Sequence, residues 1–248
     1  MSWLDAQWNT LPRTDEPEDI DNPNQPFPDI ARSMADVART NRLFGGTRAV
    51  LSHVARLLRD VPQGTPIRIL DIATGSADIP RALHAWGKKR GLPLTLVGVD
   101  NLHAMLRLAH ELSPETQLVQ ADALRLPFAP RSFDIALCAL AFHHLGFDGS
   151  VQVLRAMDTL STRGFVVGDL RRDQVTLGAI HLGASIIRAH PFTRHDAPAS
   201  VRRAFTPREY EKMVIASGAQ NVRVLSHWHF RMALVQHKPQ TQAIRSKP

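Results

Sequence analysis

The chain has 248 residues, 44% of them apolar, which is enough to bury one sizeable core and close to the upper end of what a single domain holds. A single cysteine, Cys138, excludes an internal disulfide framework and a cysteine-based zinc cluster, and no apolar run approaches the roughly eighteen residues of a membrane-spanning helix. The formal charge of +7 is uneven: residues 1–29 carry seven acids against one base, Arg13, leaving 29 bases against 16 acids in the rest.

Asp5 stands early and no basic-then-apolar run opens the chain, so a cytoplasmic protein without membrane insertion is expected. Pro12 to Pro28 contains five prolines and little apolar material; residues 1–29 are therefore expected to form an extended or disordered arm. Over residues 30–58 apolar side chains recur at helical spacing around the interruption Gly45-Gly46, which predicts two helices. Short apolar runs at 67–72, 94–99, 117–120, 133–140 and 164–170 then alternate with helical stretches at 79–89, 102–112 and 151–160, the pattern of βαβ units. A helical stretch at 175–189, a loop rich in Pro, His and Arg, and a helix opened by Thr206-Pro207-Arg208-Glu209 at capping-box spacing follow. Runs at 221–225 and 229–235 are expected to close the sheet as an antiparallel pair, and residues 239–248 to fray. The expected architecture is α/β: a Rossmann-like, seven-stranded, mostly parallel sheet with helices on both faces, an antiparallel last strand and an N-terminal helical cover. A single domain spans residues 30–238.

Open α/β sheets place ligands at the carboxyl ends of their strands, and three strand ends here carry suitable chemistry. Asp71-Ile72-Ala73-Thr74-Gly75-Ser76-Ala77-Asp78 is a turn of small residues through which backbone can approach a ligand. Asp100 ends the second strand, where a carboxylate can accept from both hydroxyls of a ribose; a helix cap is the alternative role. Asp122, followed by Ala123, Leu124 and the apolar wall to Phe128, suits an adenine ring.

In this order and at this spacing, the stretch from Arg68 to Leu170 resembles the class I S-adenosylmethionine-dependent methyltransferases. Ala73 and Ala77 stand where that family has glycines, and Ala73 with Asp78 is similar to its ubiquinone/menaquinone branch, alongside bacterial enzymes of secondary metabolism. The resemblance implies S-adenosylmethionine as cofactor, held by Asp71, Ala73, Thr74, Gly75, Asp78, Asp100, Asn101, Met105, Asp122, Ala123, Leu124 and Leu140. A nicotinamide dehydrogenase is disfavoured, because the turn lacks Gly-x-Gly-x-x-Gly and such an enzyme has no need of the wall at 122–128.

Methyl transfer needs an aligned acceptor, exclusion of water, and a base if the nucleophile starts protonated. His143 and His144 follow the fourth strand and His195 lies beside Asp196 in a basic loop; these three are the candidate bases, with at most one of the adjacent pair expected to face the pocket. Arg42, Arg171 and Arg202 are the candidate acceptor-binding residues, and residues 30–60 and 174–205 the expected substrate cover. No metal site is expected, since His143-His144 lacks an obvious carboxylate companion in the sequence. The expected function is methylation of a small phenolic, quinol or polyketide-type acceptor, on oxygen ahead of carbon, by a monomer or homodimer. RNA methylation, favoured only by the basic surplus, and a cofactor-binding module that does not methylate are the alternatives.

Overall fold

The computed structural model describes residues 11–240 except 187, 228 and 229. Its elements run α1 (Phe27–Leu43), α2 (Gly46–Leu57), β1 (Ile67–Ile72), α3 (Asp78–Arg90), β2 (Leu94–Asp100), α4 (His103–Leu112), β3 (Gln117–Gln120), β4 (Phe133–Ala139), α5 (Phe142–Leu160), β5 (Ser161–Leu170), α6 (Gln174–Ile186), α7 (Pro191–Arg203), α8 (Pro207–Ser217), β6 (Val222–His227) and β7 (Arg231–Gln236). The seven strands order as β3-β2-β1-β4-β5-β7-β6. β1 to β5 are parallel, and β7 inserts antiparallel between β5 and β6, as expected for this fold class.

The central strands read as near-continuous apolar runs because both faces are covered. Leu70, Ile72, Val99, Cys138 and Val167 pack with Val153, Leu154 and Met157 of α5 and Tyr210 and Met213 of α8. Ile67, Ile69, Leu96, Ile135 and Val166 pack on the other side with Val50, Val54 and Leu57 of α2 and Ile79 and Leu83 of α3. α2 is thus a core helix, not part of a cover. Cys138 is a fully buried free thiol. Among the described residues no helix is long and apolar enough to cross a membrane.

Local signals place most boundaries. Thr206 accepts from the Glu209 amide while Glu209 caps the Thr206 amide, so α8 starts with the expected capping box. Two helices differ from expectation. Residues 191–203, expected as a loop, form α7: Pro191 sits in the first turn, where a missing N–H costs nothing, and His190 caps the next amide. The interior Pro198 hides this helix from a propensity count. α5 begins at Phe142 rather than near 151, with a kink at Gly146 (φ 66°, ψ −178°) that isolates its first turn. That turn carries His143 and His144.

Residues 11–26 are irregular apart from a 3-10 turn at Asp19–Asp21 and a turn closed by the Gln25 amide on the Asn22 carbonyl, and they are tied to the body. Arg172 donates to the Leu11 carbonyl, Arg13 Nε to the Arg203 carbonyl, and the amides of Asp19 and Ile20 to the two carboxylate oxygens of Asp196 at 2.7 and 3.2 Å. Residues 1–10 and 241–248 lie outside the described residues.

Candidate active site

A cavity of about 470 Å³ opens over the carboxyl ends of β1, β2, β4 and β5. Its floor is the strand-end turns, and its roof is α1, α7 and the N-terminal arm. Met34 of α1 reaches the first turn, since a Cβ on Gly75 would lie 2.9 Å from its Cε.

At the β1 end, Thr74 Oγ1 donates to Asp71 Oδ2 at 2.7 Å and the Thr74 amide to the Val99 carbonyl, which fixes the turn against β2. Asp71 is buried beneath the cavity and does not line it; burial, only partly offset by the Thr74 hydroxyl and reinforced by the charges of Asp78 and Asp100, pushes its carboxyl up to about 7. Asp100 accepts from the Gly75 amide through Oδ2 (2.9 Å) and from the Leu102 amide through Oδ1 (3.0 Å). Its carboxylate therefore ties the β1 turn to the turn before α4 and also faces the cavity, where a further lone pair on each oxygen is available. Asn101, Met105, Asp122 and Ala123 complete this end, and Leu140 lines the middle; Leu124 does not line the cavity. Asn41 Nδ2 donates to Asp78 Oδ2 at 3.0 Å, linking α1 to the start of α3.

Ala73 and Ala77 both hold positive φ, 55° and 56°, the left-handed conformation in which a Cβ costs roughly 1 kcal/mol or more. This is the physical meaning of alanine in glycine positions. Ala73→Gly should raise stability by about 0.5–1 kcal/mol in a thermal melt, because Ala73 is only partly buried at the cavity and loses less packing than Ala77. Ala77→Gly should bring no gain: its methyl is fully buried, and the packing lost offsets the strain relieved. Equal gains at both positions would contradict this account.

At the β4–β5 end the histidines acquire partners that lie far away in sequence. His143 is buried; its Nδ1 lies 2.8 Å from Asp169 Oδ1, and its amide donates to Asp169 Oδ2 at 3.1 Å. Burial raises the Asp169 carboxyl, but the charge of His143 and the hydrogen bonds from His143 and the Leu170 amide outweigh it and hold the group below its usual range. An ionised carboxylate only accepts, so Nδ1 donates to Asp169, and Nε2 lies 3.6 Å from Glu18 Oε1. His144 also lines the cavity, with Nδ1 3.0 Å from Asp21 Oδ1 and Nε2 3.8 Å from Glu18 Oε2. Both histidines thus face the same space, their rings 4.2 Å apart, against the expectation of one at most. The kink at Gly146 makes this possible by turning the first turn of α5 inward.

Arg203 spans Asp21 (2.9 Å) and Glu18 (3.6 Å) and so locks the arm over the cavity. The donor atoms of Glu18, His143 and His144 lie within 4.8 Å of one another, a trio able to hold a metal ion, yet Arg203 already supplies positive charge to Glu18 there. The missing carboxylate companions of the histidine pair are therefore Asp169, Glu18 and Asp21.

Burial raises the Glu18 carboxyl to about 7; His144, the Ser200 hydroxyl and Arg203 lower it and Asp21 raises it further, but burial prevails. The closed arm thus favours the protonated acid. Its closure is firmest below the unfolded value of 4.5 and weakens as pH rises toward 7, by on the order of 3 kcal/mol. The protection of amides across residues 11–26, corrected for the intrinsic rise of exchange with pH, should fall between pH 4.5 and 8, and Glu18→Gln should flatten that dependence. A pH-independent arm in the native chain would refute it.

The other expected site residues lie elsewhere. His195 is exposed on α7 beside Glu16, Asp19 and Asp196, outside the cavity. Arg42 is exposed, Arg171 is buried against Asp173 and Ser226, and Arg202 is half-buried with its carbonyl bonded to the Thr14 amide; none lines the cavity. The arginines that do are Arg203 and Arg231. Glu18 and Arg231 carried no signal in the sequence: one sits in a proline-rich acidic stretch, the other opens a short strand.

The profile of the methyltransferase domain family matches residues 69–164. Residues 69–164 are thus a methyltransferase domain of the class I, S-adenosylmethionine-dependent type. Among curated relatives of the chain, the demethylmenaquinone methyltransferase of Thermotoga maritima is 32% identical over 112 residues, covering 45% of each chain. That of Deinococcus radiodurans is 38% identical over 84 residues, 32% of this chain and 33% of the relative. The chain thus matches less than half the length of these relatives. In fold it is similar to a solved S-adenosylmethionine-dependent methyltransferase from Aquifex aeolicus, with a TM-score of 0.57 at 15% identity over 86% of this chain and 98% of that one. The cavity fits the cofactor of the family: small residues at Ala73 to Gly75, the Asp100 carboxylate, and the Met105 and Asp122 to Ala123 wall form one continuous lining.

Proposed function

We propose that this chain methylates a hydroxyl-bearing small molecule of phenolic, quinol or polyketide type, on oxygen ahead of carbon. The observation that carries the proposal is the aligned set Asp169, His143 and Glu18 at the end of the cavity opposite the Asp100 and Asp122 turns. S-adenosylmethionine supplies an electrophilic methyl group on a sulfonium. The chain's own task is to prepare the acceptor oxygen. His143 Nε2 takes the hydroxyl proton; Asp169 keeps the imidazole in the required tautomer and offsets the charge it gains. Glu18 and Arg203 close the cavity against water, and Ile20, Leu145 and Ile180 give its lining an apolar share suited to an aromatic acceptor.

Relatives named for demethylmenaquinone support a quinol-like acceptor, in which the same deprotonation also raises the nucleophilicity of ring carbon. An acid-lined, roofed cavity favours such a molecule over an RNA strand. The test is incubation with methyl-labelled cofactor, offering phenols, quinols and total RNA together. Label in an organic-extractable product, with the methyl assigned to oxygen by NMR, is expected; label in acid-precipitable RNA, or none in any acceptor, overturns the proposal.

A further inference from the structure

Arg231 opens β7 opposite Leu170 of β5, is only 8% exposed, and lines the cavity. A buried guanidinium is ordinarily forked onto a carboxylate, because desolvating its charge without hydrogen bonds is costly. Among the described residues Arg231 has no such partner: its side chain makes no hydrogen bond or ion pair, and its Nη1 is fully buried without an acceptor. The nearest acids are Asp169 and Asp78, whose charges it feels. Both are committed elsewhere, Asp169 to His143 and the Leu170 amide, Asp78 to Asn41. Burial accordingly lowers the guanidinium's proton affinity even with two acids nearby.

We propose that Arg231 is a carboxylate-binding residue of the cavity, pairing its unpartnered guanidinium with a planar two-oxygen anion. The guanidinium presents paired N–H donors at the spacing of carboxylate oxygens, and the protein supplies no acceptor to its Nη1. The pairing of Arg231 with Leu170 puts it next to Asp169, which holds His143, and it lines the cavity together with Asp78 at the start of α3. Two molecules bring a carboxylate there: the amino-acid part of the cofactor, or an aromatic acceptor bearing an acid group. The identity of the ligand rests on the methyltransferase reading; the unpartnered guanidinium does not.

Calorimetric binding tests this without turnover. Native chain, Arg231→Met and Arg231→Lys are each titrated with S-adenosylhomocysteine and with methylthioadenosine, which lacks the amino acid, then, saturated with the former, with salicylate and methyl salicylate. Arg231→Met should weaken the carboxylate-bearing member of one pair about 10- to 100-fold while changing its neutral counterpart less than about threefold. Arg231→Lys should recover part of that loss, and carries the same comparison alone if the methionine variant does not fold. A split in the first pair assigns the cofactor carboxylate, a split in the second an acidic acceptor. Equal effects on both members of each pair, or no effect on either pair, overturn the proposal. Failure of the native chain to bind either adenosine ligand would instead strike the methyltransferase reading.

Discussion

His143→Ala lowers kcat by a factor on the order of 10² to 10⁴, the usual worth of a positioned general base, and leaves the affinity for S-adenosylhomocysteine within about twofold. The separation follows from geometry: His143 lies on the first turn of α5 against Asp169, whereas the candidate nucleoside contacts come from the ends of β1, β2 and β3. Asp169→Asn sharpens the test. An amide in place of the carboxylate can donate to Nδ1, which shifts the imidazole proton to Nε2 and removes the lone pair that faces the acceptor. It should therefore cost nearly as much in kcat as loss of His143 itself, and the double variant should fall little further, because the pair acts as a unit. His144→Ala should cost less than tenfold, since His144 faces the arm and not the Asp169 carboxylate. If His144→Ala were the more damaging change, the base would be misassigned.

The same pair shows what was legible in the sequence. A strand ending in Ala139-Leu140 followed by two histidines placed a base candidate at a strand end, because position along a parallel sheet follows from the βαβ pattern alone. What orients the base was out of reach. Asp169 is 26 residues from His143 and meets it only because β5 lies beside β4, and Glu18 is more than a hundred residues away in a segment whose composition signals an unstructured chain. Composition weighs the local cost of ordering and is blind to the Asp196 carboxylate and the Arg203 guanidinium that offset it. α7 escaped for a related reason: Pro198 lowers the intrinsic propensity of residues 191–203, while tertiary contacts burying Ala199 and Val201 decide the outcome. With α7 read as a loop, His195 and Arg202 could be imagined facing the site. As a helix, the segment turns Asp196, Ser200 and Arg203 inward instead.

The central strands were legible because burial on both faces leaves a dense apolar signature, and β1 begins and ends where its apolar run does. The turns after them were legible for a different reason. Ala73, Gly75 and Ala77 all adopt positive φ, so the family's preference for glycine reports a backbone requirement that alanine meets at a cost in strain. Their retention in a strained form is the expected mark of a turn kept for its ligand and not for its stability.

Asp100→Ala should abolish cofactor binding in practical terms, lowering affinity for S-adenosylhomocysteine by on the order of 10² to 10⁴, with methylation lost in parallel. Each charge-assisted hydrogen bond from a ribose hydroxyl is worth about 1.5–3 kcal/mol, and this carboxylate can accept from two. The variant also strips the Gly75 and Leu102 amides of their acceptor, so part of the loss comes from loosening the β1 turn against α4. Asp100→Asn separates the two effects. Its amide oxygen keeps one backbone acceptor, while its nitrogen turns an acceptor into a donor and removes the charge. A structural role alone predicts a mild defect in Asp100→Asn with a lowered melting temperature in Asp100→Ala; a ribose role predicts that both lose the ligand. Burial holds the Asp100 carboxyl above its usual range, against the Leu102 and Gly75 amides that pull it down, so affinity for the nucleoside should weaken on acidification sooner than an exposed aspartate would allow. Binding measured across that acid limb in the native chain decides it: affinity should fall as the Asp100 carboxylate is protonated, and an affinity that stays level there would contradict the ribose role.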